Sequence, residues 1–323
     1  MKRIVVFALV GLLAAQMVFA GGNRAASGAG YPTRNITMIC PWAAGGGTDA
    51  ILRALSKAAE KQLGVTITVE NRTGGAGAIG HAAIKNARPD GYTIGMITFE
   101  INSLPQQGLI DFTYADYEPV IRVNADAAAL TVKADAPYNN VKEFVDYCKR
   151  NPGTVSIGNS APGSVWHIGA GLLANETGID VKHIAFEGAA PAVTALAGGH
   201  IQAVSVSLAE VKSQLDAGNV KCIGIMDTKR SELYPNIPTF QDQGFNITYY
   251  TWRGIALPKG IDPAIRDIIV KAFTAAINDP EFVTTAKNMN LNLAYLPPAQ
   301  FATFLKENFD AVTKTLKETK LLD

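Results

Sequence analysis

Short apolar runs alternate with amphipathic segments along the chain, and this alternation predicts strands and helices in turn. The first apolar run, Ile36–Cys40, leads through three consecutive glycines into a segment whose apolar residues recur at helical spacing from Ile51 onward. Thr48 is predicted to cap this helix through its hydroxyl, and Gly64 to end it. The first elements are therefore a strand, a glycine-rich turn and a helix.

The pattern of strand, glycine-rich turn and helix occurs a second time directly after the first helix. Residues 65–70 predict a strand, residues 71–80 form a second glycine-rich turn, and a helix follows to about residue 87. Residues 92–98 predict a third strand. The strands of an open α/β sheet end at one edge, where ligands bind, so we expect the two turns to lie side by side.

Both glycine-rich turns suit an anion. Glycine has no side chain, so a ligand can approach the backbone closely. The first-turn N–H groups of a helix and its dipole both favour negative charge. The pair of turns therefore predicts a carboxylate or phosphate site, and the alternative is that the glycines only form tight connections.

A second α/β run occupies the middle of the chain. Before it, residues 117–123 and 127–133 predict two strands around a crossing point, and Val141–Arg150 predicts a helix. Within the run, strands are predicted at 155–157, 181–186, 201–207 and 220–226, and helices at 165–176, 189–198 and 209–217. Two similar α/β lobes would place their strand ends opposite each other, and a cleft between lobes is the usual location of a small ligand.

The last part of the chain predicts strands at 247–252 and 254–257 and then only helices. These helices are predicted at Pro263–Ile277, Pro280–Asn288 and 298–319. We expect them to return to the first lobe and cover it.

The N-terminus has the pattern of an exported protein. Two basic residues precede an apolar stretch at 4–18 and a small-residue cleavage site, which predicts a secretory signal peptide at 1–20. Residues 21–33 are expected to be a flexible leader. Cys40 is the first cysteine, so no lipid-attachment cysteine follows the cleavage site, and no later apolar run is long enough to span a membrane.

Composition excludes several classes of protein. The chain has 29 Lys and Arg against 28 Asp and Glu, and without a basic excess a nucleic-acid partner is not expected. The three cysteines, Cys40, Cys148 and Cys222, match no zinc or redox spacing. No Walker A lysine follows the glycines, which argues against a nucleotide. Neither a metal nor another cofactor is expected.

Eight short motifs, taken together, carry a family resemblance. They lie at 41–49, 71–80, 163–167, 183–188, 191–192, 196–199, 237–239 and 252–254. In this order and spacing the chain resembles the substrate-binding proteins of the tripartite tricarboxylate transporter family, the Bug-type periplasmic receptors. The resemblance runs from about Tyr31 to the C-terminus.

This resemblance implies a two-lobed fold of the type II periplasmic-binding-protein class, a Venus flytrap, in which each lobe is a mostly parallel sheet flanked by helices. The first lobe would comprise residues 34–126 and 250–323, and the second lobe residues 127–249. Backbone N–H groups of the first two loops, with ordered water, would hold one carboxylate of a small organic acid. A monomer in the periplasm would deliver this acid to integral membrane transporter subunits by transient contact.

The chain departs from the family pattern in both lobes. Trp42 replaces the usual Phe, a change that leaves the anion site intact. In the second lobe Phe186-Glu-Gly188 replaces Tyr-Lys-Gly, and His200-Ile-Gln202 replaces Gln-Val-Asp. These changes remove a cation and an acid, so the contacts to the far end of the ligand stay open.

The predicted ligand-binding residues come from both lobes. They are Trp42, Ala44, Gly45, Gly46, Gly47, Thr48, Asp49, Gly74, Gly75, Ala76, Gly77, Ser160, Ser164, His167, Glu187 and Ser205. Asp49 would repel a carboxylate at contact, so we expect it to organise the loops and to pair with Arg53 one turn later.

Several of these residues have a second interpretation. His167 is either a ligand contact or a satisfied core histidine. Glu187 either binds an amino or hydroxyl group or is a solvated turn residue. Trp42 and Ser205 either line the cleft or pack in the core, and Ser164 is expected to cap a helix.

The sequence leaves two alternatives to the receptor function. An exported serine hydrolase would use Ser160, but residues 158–162 lack the final glycine of a G-x-S-x-G elbow, and an enzyme is not expected. A receptor for phosphate or another anion is the second alternative. The sequence does not identify the acid.

Overall fold

The computed structural model describes residues 30–318, so the predicted signal peptide and most of the leader lie outside the described residues. The strands are β1 (Ile36–Cys40), β2 (Ile67–Asn71), β3 (Thr93–Thr98), β4 (Tyr117–Lys133), β5 (Ser156–Asn159), β6 (Lys182–Ala185), β7 (Ala203–Ser207), β8 (Val220–Ile225), β9 (Tyr250–Pro258) and β10 (Leu293–Leu296). The helices are α1 (Gly47–Leu63), α2 (Ala78–Lys85), α3 (Glu100–Ser103), α4 (Val141–Arg150), α5 (Val165–Thr177), α6 (Ala189–Ala197), α7 (Leu208–Asp216), α8 (Pro263–Ile277), α9 (Pro280–Asn288) and α10 (Pro298–Glu318). Short 3₁₀ turns occupy Pro105–Gln107, Tyr114–Asp116 and Gln241–Gln243.

The strands join in one curled sheet of two halves. Its order is β2-β1-β3-β9-β4-β7-β5-β6, and β8 and β10 also pair with β4. Pairing is parallel among β1, β2 and β3 and among β5, β6 and β7, whereas β4 and β9 pair antiparallel with their neighbours. This mixed sheet with flanking helices confirms the α/β, two-lobed fold class.

Strand β4 runs through both halves of the sheet. It pairs with β9 as far as Ala127 and with β7 from Ala128 onward. The prediction of two strands at 117–123 and 127–133 was wrong, because the polar residues between them, Asn124 and Asp126, are buried and hydrogen-bonded to each other. The change of partner at 127/128 supports the proposed lobe boundary, which stays a proposal.

Two further strand predictions need correction. Residues 247–252 and 254–257 were expected as separate strands, but β9 is continuous because Arg253 lies buried within it. The C-terminal part was expected to be only helical, yet β10 pairs with β4 between α9 and α10. Among residues 30–318 no helix combines the length and the apolar character that crossing a membrane requires.

The C-terminal helices cover the first lobe. Helices α8 and α9 pack on α1, and α10 packs on β4 and α3. Phe273 of α8 shares a buried cluster with Leu52 and Leu55 of α1, and a second cluster extends from Phe144 in the second lobe to Phe301 of α10. The three cysteines are free thiols, with Cys40 and Cys148 buried and Cys222 half-buried.

Candidate functional site

The two glycine-rich turns lie beside each other. Because β1 and β2 are parallel neighbours, Cys40 pairs with Asn71 at the ends of both strands. The Asn71 amide donates to the carbonyl oxygen of Trp42 at 2.8 Å. Gly80 packs so closely that a Cβ there would lie 2.5 Å from the Cα of Pro41. We call residues 41–49 the first corner and residues 71–80 the second corner.

Asp49 holds the two corners together. Its carboxylate accepts from the Gly45 N–H at 3.0 Å, from the Asn71 amide at 2.9 Å and from Arg53 Nε at 3.0 Å. Burial opposes the charged form, but these hydrogen bonds outweigh it and hold the pKa of Asp49 below its ordinary value. The carboxylate therefore fixes the loops, as its place in the first helical turn predicts.

Replacing Asp49 by Asn is expected to lower the free energy of unfolding by about 1.5–3 kcal/mol at pH 7, the range for hydrogen bonds to a charged group. A carboxyl with a lowered folded pKa stabilises the fold above its unfolded pKa of about 4, and this contribution is lost as pH falls through the folded pKa. The difference between the free energies of unfolding of wild type and Asp49→Asn, measured by urea denaturation, should therefore shrink as the pH is lowered below about 4. The control is Asp146→Asn, which removes an exposed pair with Lys142 and should leave the free energy of unfolding almost unchanged. Equal effects of the two substitutions at pH 7 would contradict this role.

Thr48 does not cap α1, which corrects the prediction. Gly46 occupies the N-cap position and makes no side-chain cap. Thr48 lies within the first turn, where its hydroxyl accepts from Arg253 Nε at 2.8 Å. The first-turn N–H groups of a helix have no acceptor within the helix, so the N-terminus of α1 stays available to an anion.

A small cavity lies between the lobes at this N-terminus. Its volume is about 20 Å³, which is room for about one water molecule. Its lining comprises Trp42, Ala43, Gly46, Gly47, Thr48, Thr98, Glu100, Ser160, Val165, Trp166, Ala189, Glu210, Thr251 and Arg253. We call it the inner cavity, and residues of the two lobes contact each other around it.

Arg253 connects three parts of the site. Its side chain is 2% exposed, and it donates to Thr48, to Asp126 Oδ2 at 2.7 Å and to Glu210 Oε1 at 3.1 Å. Thr48 belongs to the first lobe, Asp126 to the crossing strand and Glu210 to the second lobe. Burial raises the pKa of Asp126 and of Glu210, although the Arg253 guanidinium opposes the shift.

Glu100 makes a second connection between the lobes. This fully buried carboxyl accepts from the Val165 N–H, at the N-terminus of α5, at 2.9 Å. It also accepts from the Thr98 hydroxyl, which in turn accepts from Trp42 Nε1 at 3.2 Å. Burial raises the pKa of Glu100 against these hydrogen bonds. Ser103 and Gln107 donate to the Gly163 carbonyl beside it.

A wider opening lies between the second corner and the second lobe. This outer groove has a volume of about 650 Å³, which is within the range for small-ligand sites. Its lining comprises Gly75, Ala76, Ala78, Leu109, Ala161, Pro162, Ala185, Phe186, Glu187 and Pro191. The groove is therefore mainly apolar, and Glu187 is its acidic residue.

The predicted ligand-binding residues divide among these places. Five line the inner cavity: Trp42, Gly46, Gly47, Thr48 and Ser160. Three line the outer groove: Gly75, Ala76 and Glu187. The other predicted residues line neither: Ala44, Gly45, Asp49, Gly74, Gly77, Ser164, His167 and Ser205.

Several of these last residues have structural contacts. The Ser164 hydroxyl accepts from the His167 N–H and so caps α5, as predicted. The His167 ring accepts from the Gly163 N–H at 3.1 Å and packs edge-on against His183. Burial, with His183 nearby, lowers the pKa of His167 to about 4. Ser205 is fully buried, and its hydroxyl has no hydrogen-bond partner among the described residues.

The charged residues of the inner cavity were not predicted from the sequence; they are Glu100, Glu210 and Arg253. The sequence does contain one indication that Arg253 and Glu100 have a special role. Arg253 lies within a strand of mainly apolar residues, and Glu100 lies two residues after the end of another, β3. A charge in such a place must be paired when it is buried, so each required a partner that the sequence did not identify.

A two-lobed α/β protein with a polar site on helix N-termini between the lobes belongs to the class of solute-binding receptors. The model of the tripartite tricarboxylate transporter family receptor matches residues 51–321. The chain therefore belongs to this receptor family.

Individual relatives agree with the family match. The protein of the gbd 5′ region of Cupriavidus necator is 29% identical over 278 residues, which are 86% of this chain and 85% of that protein. The periplasmic binding protein BugD is 28% identical with a TM-score of 0.87, over 90% of this chain and 99% of BugD. MatC of Rhodopseudomonas palustris, solved with bound malate, is 23% identical with a TM-score of 0.82, over 88% of this chain and all of MatC. The likeness to MatC is one of fold.

Proposed function

We propose that this receptor binds a small carboxylate, a di- or tricarboxylate or a related organic acid, between its lobes and delivers it to integral membrane transporter subunits. The observation that carries the proposal is the pair of adjacent corners, with the N-terminus of α1 at the inner cavity. Main-chain donors there suit a carboxylate group. The bound malate of MatC is a carboxylate of the same kind.

Binding requires the lobes to open. A cavity of about 20 Å³ cannot hold an organic acid, so a ligand enters after the contacts of Glu100 with Val165 and of Glu210 with Arg253 separate. Strand β4, which runs through both halves of the sheet, and the chain that leads into β9 would act as the hinge. Closure on the ligand would then present one defined surface to the transporter.

Ligand-dependent stability tests the proposal. The mature protein is titrated with mono-, di- and tricarboxylates, hydroxy acids, amino acids and phosphate while its Tm is followed. A ligand at 100 times its Kd should stabilise the fold by about 2.7 kcal/mol. No stabilisation by any of these acids would refute the carboxylate receptor, and stabilisation by phosphate alone would favour the anion alternative.

No observation in the structure favours the hydrolase. The Ser160 hydroxyl donates to the Ser164 hydroxyl at 3.0 Å, whereas a serine nucleophile needs a base within hydrogen-bond reach.

We also infer that residues 1–20 direct export to the periplasm and are removed, and that the mature receptor is a monomer that contacts its transporter transiently. Intact mass and size-exclusion chromatography of the exported protein test both points.

A further inference from the structure

The outer groove adjoins the inner cavity and is much larger. Ser160 lines the cavity, and the next two residues of the chain, Ala161 and Pro162, line the groove. At the start of α6, Ala189 lines the cavity and Pro191 lines the groove. The two volumes are about 20 Å³ and about 650 Å³. The body of a ligand that is held at the corners therefore has room in the groove and none in the inner cavity.

The second corner brings main-chain donors to the edge of the groove. Gly75 and Ala76 both line it, and their N–H groups donate to no acceptor among residues 30–318. The next two N–H groups, those of Gly77 and Ala78, are used within the turn, where they donate to carbonyl oxygens of Gly74 and Gly75. An ionised carboxylate accepts hydrogen bonds and donates none. A carboxylate bound to the free donors of this corner would have the rest of its molecule in the groove.

The lining of the groove favours a hydrocarbon group. Leu109 of the first lobe is 56% exposed and reaches across to the second lobe, where a Cβ on Gly163 would lie 3.0 Å from its Cδ1. The second lobe contributes Phe186 and Pro191. Among the described residues that line the groove, Glu187 is the one with a charged side chain, and it is an acid. A second carboxylate here would lose water without gaining a cation, whereas a hydrocarbon body would be stabilised by burial.

We propose that the outer groove binds the apolar body of the ligand, so that this receptor takes a monocarboxylate with an aliphatic or aromatic body in preference to a dicarboxylate on the same carbon skeleton. This inference rests on the proposed carboxylate site and narrows its ligand class. The second corner holds the carboxylate, and the body lies between Leu109 and Phe186. Specificity arises from burial of hydrocarbon and from the lack of a cation for a second acid group.

Calorimetry with acids of matched skeleton at pH 7.5 tests the preference. The first set is hexanoate, adipate and 6-aminohexanoate, and the second is 4-methylbenzoate and terephthalate. In at least one set the apolar monocarboxylate should bind at least about tenfold more tightly than the dicarboxylate. From butyrate to hexanoate, Kd should fall at least about twofold for each CH₂ group, because each buried CH₂ group favours binding.

The outcomes separate this inference from the proposed function. A preference below tenfold in both sets, or tightest binding of 6-aminohexanoate, would overturn the apolar groove. The carboxylate receptor would still stand if any acid bound, including malate or citrate from the wider panel. Absence of binding by every acid would overturn both.

Charged variants of the lining then locate the effect. Leu109→Lys places a cation in the groove and should lower the preference for hexanoate over adipate at least fivefold. Its control is Leu233→Lys, at a leucine that is 43% exposed and lies outside the groove, and this variant should keep the wild-type ratio. Glu187→Lys should act like Leu109→Lys and serves if the latter does not fold, with Glu176→Lys on the exposed face of α5 as its control. An unchanged ratio in a folded Leu109 or Glu187 variant would show that the body of the ligand lies elsewhere.

Discussion

Replacing Arg253 by Met is expected to lower the free energy of unfolding by about 3–5 kcal/mol, the usual cost of leaving a buried charge without its partner. The substitution removes the one guanidinium that contacts both Asp126 and Glu210, each almost fully buried. It keeps the apolar stem, so the loss would be electrostatic. Urea denaturation at pH 8, followed by circular dichroism, measures it.

The loss of stability in Arg253→Met should increase as the pH rises. Burial raises the pKa of Asp126 and Glu210, so these groups stabilise the fold below their unfolded pKa of about 4, and the contribution is lost as pH rises through the folded pKa. Without Arg253 the largest influence that opposes these pKa shifts is lost, and the penalty should be larger at pH 8 than at pH 5. The control is Arg266→Met, whose partners Asp267 and Glu118 are partly exposed, and it should cost about 1 kcal/mol or less. If the loss of stability were equal at both pH values, it would not come from unpaired charge on Asp126 and Glu210.

The local elements could be predicted because their signals are local. The bounds of α4 at Val141–Arg150 and of α8 at Pro263–Ile277 agree with the prediction, since a cap or a proline marks each start. The two corners could also be placed side by side, because consecutive parallel strands end at the same edge. These features follow from residues that are neighbours in the sequence.

The charged centre of the site could not be predicted, because its residues are far apart in the sequence. Arg253 contacts Asp126 and Thr48, which are 127 and 205 positions away in the sequence. A strand that carries polar residues is easily interpreted as interrupted, which is why β4 and β9 were each divided in two. Only the fold shows that these polar residues satisfy one another inside the sheet.

The same distant contacts link the ligand site to closure. Arg253 donates to Thr48 on the helix that presents the first-turn N–H groups, and also to Glu210 of the opposite lobe. An anion at the N-terminus of α1 would therefore lie beside the residue that joins the lobes. Binding and closure are expected to be coupled through one side chain.

Replacing Gly47 by Val should lower ligand affinity at least 100-fold, which corresponds to about 2.7 kcal/mol. A Cβ at Gly47 would lie 2.9 Å from Glu210 Cγ and 3.3 Å from Arg253 Nη2, closer than carbon atoms approach in packed interiors. These neighbours cannot move away easily, because Glu210 also accepts from Ser207 and Arg253 is held by three partners. The closer of these two contacts, the one with Glu210, lies between the lobes, so the variant should still fold with the lobes apart.

Calorimetry with the most stabilising acid of the panel measures the affinity, and small-angle X-ray scattering measures closure. The wild type should become more compact on saturation with this acid, whereas Gly47→Val should not. The control is Gln62→Val, which places the same β-branched residue at an exposed position of α1 and should keep wild-type affinity. Full affinity in Gly47→Val would mean that the ligand is held without contact between Glu210 and the first turn of α1. In that case the anion site at the first corner would work with the lobes apart, and closure would serve only recognition by the transporter.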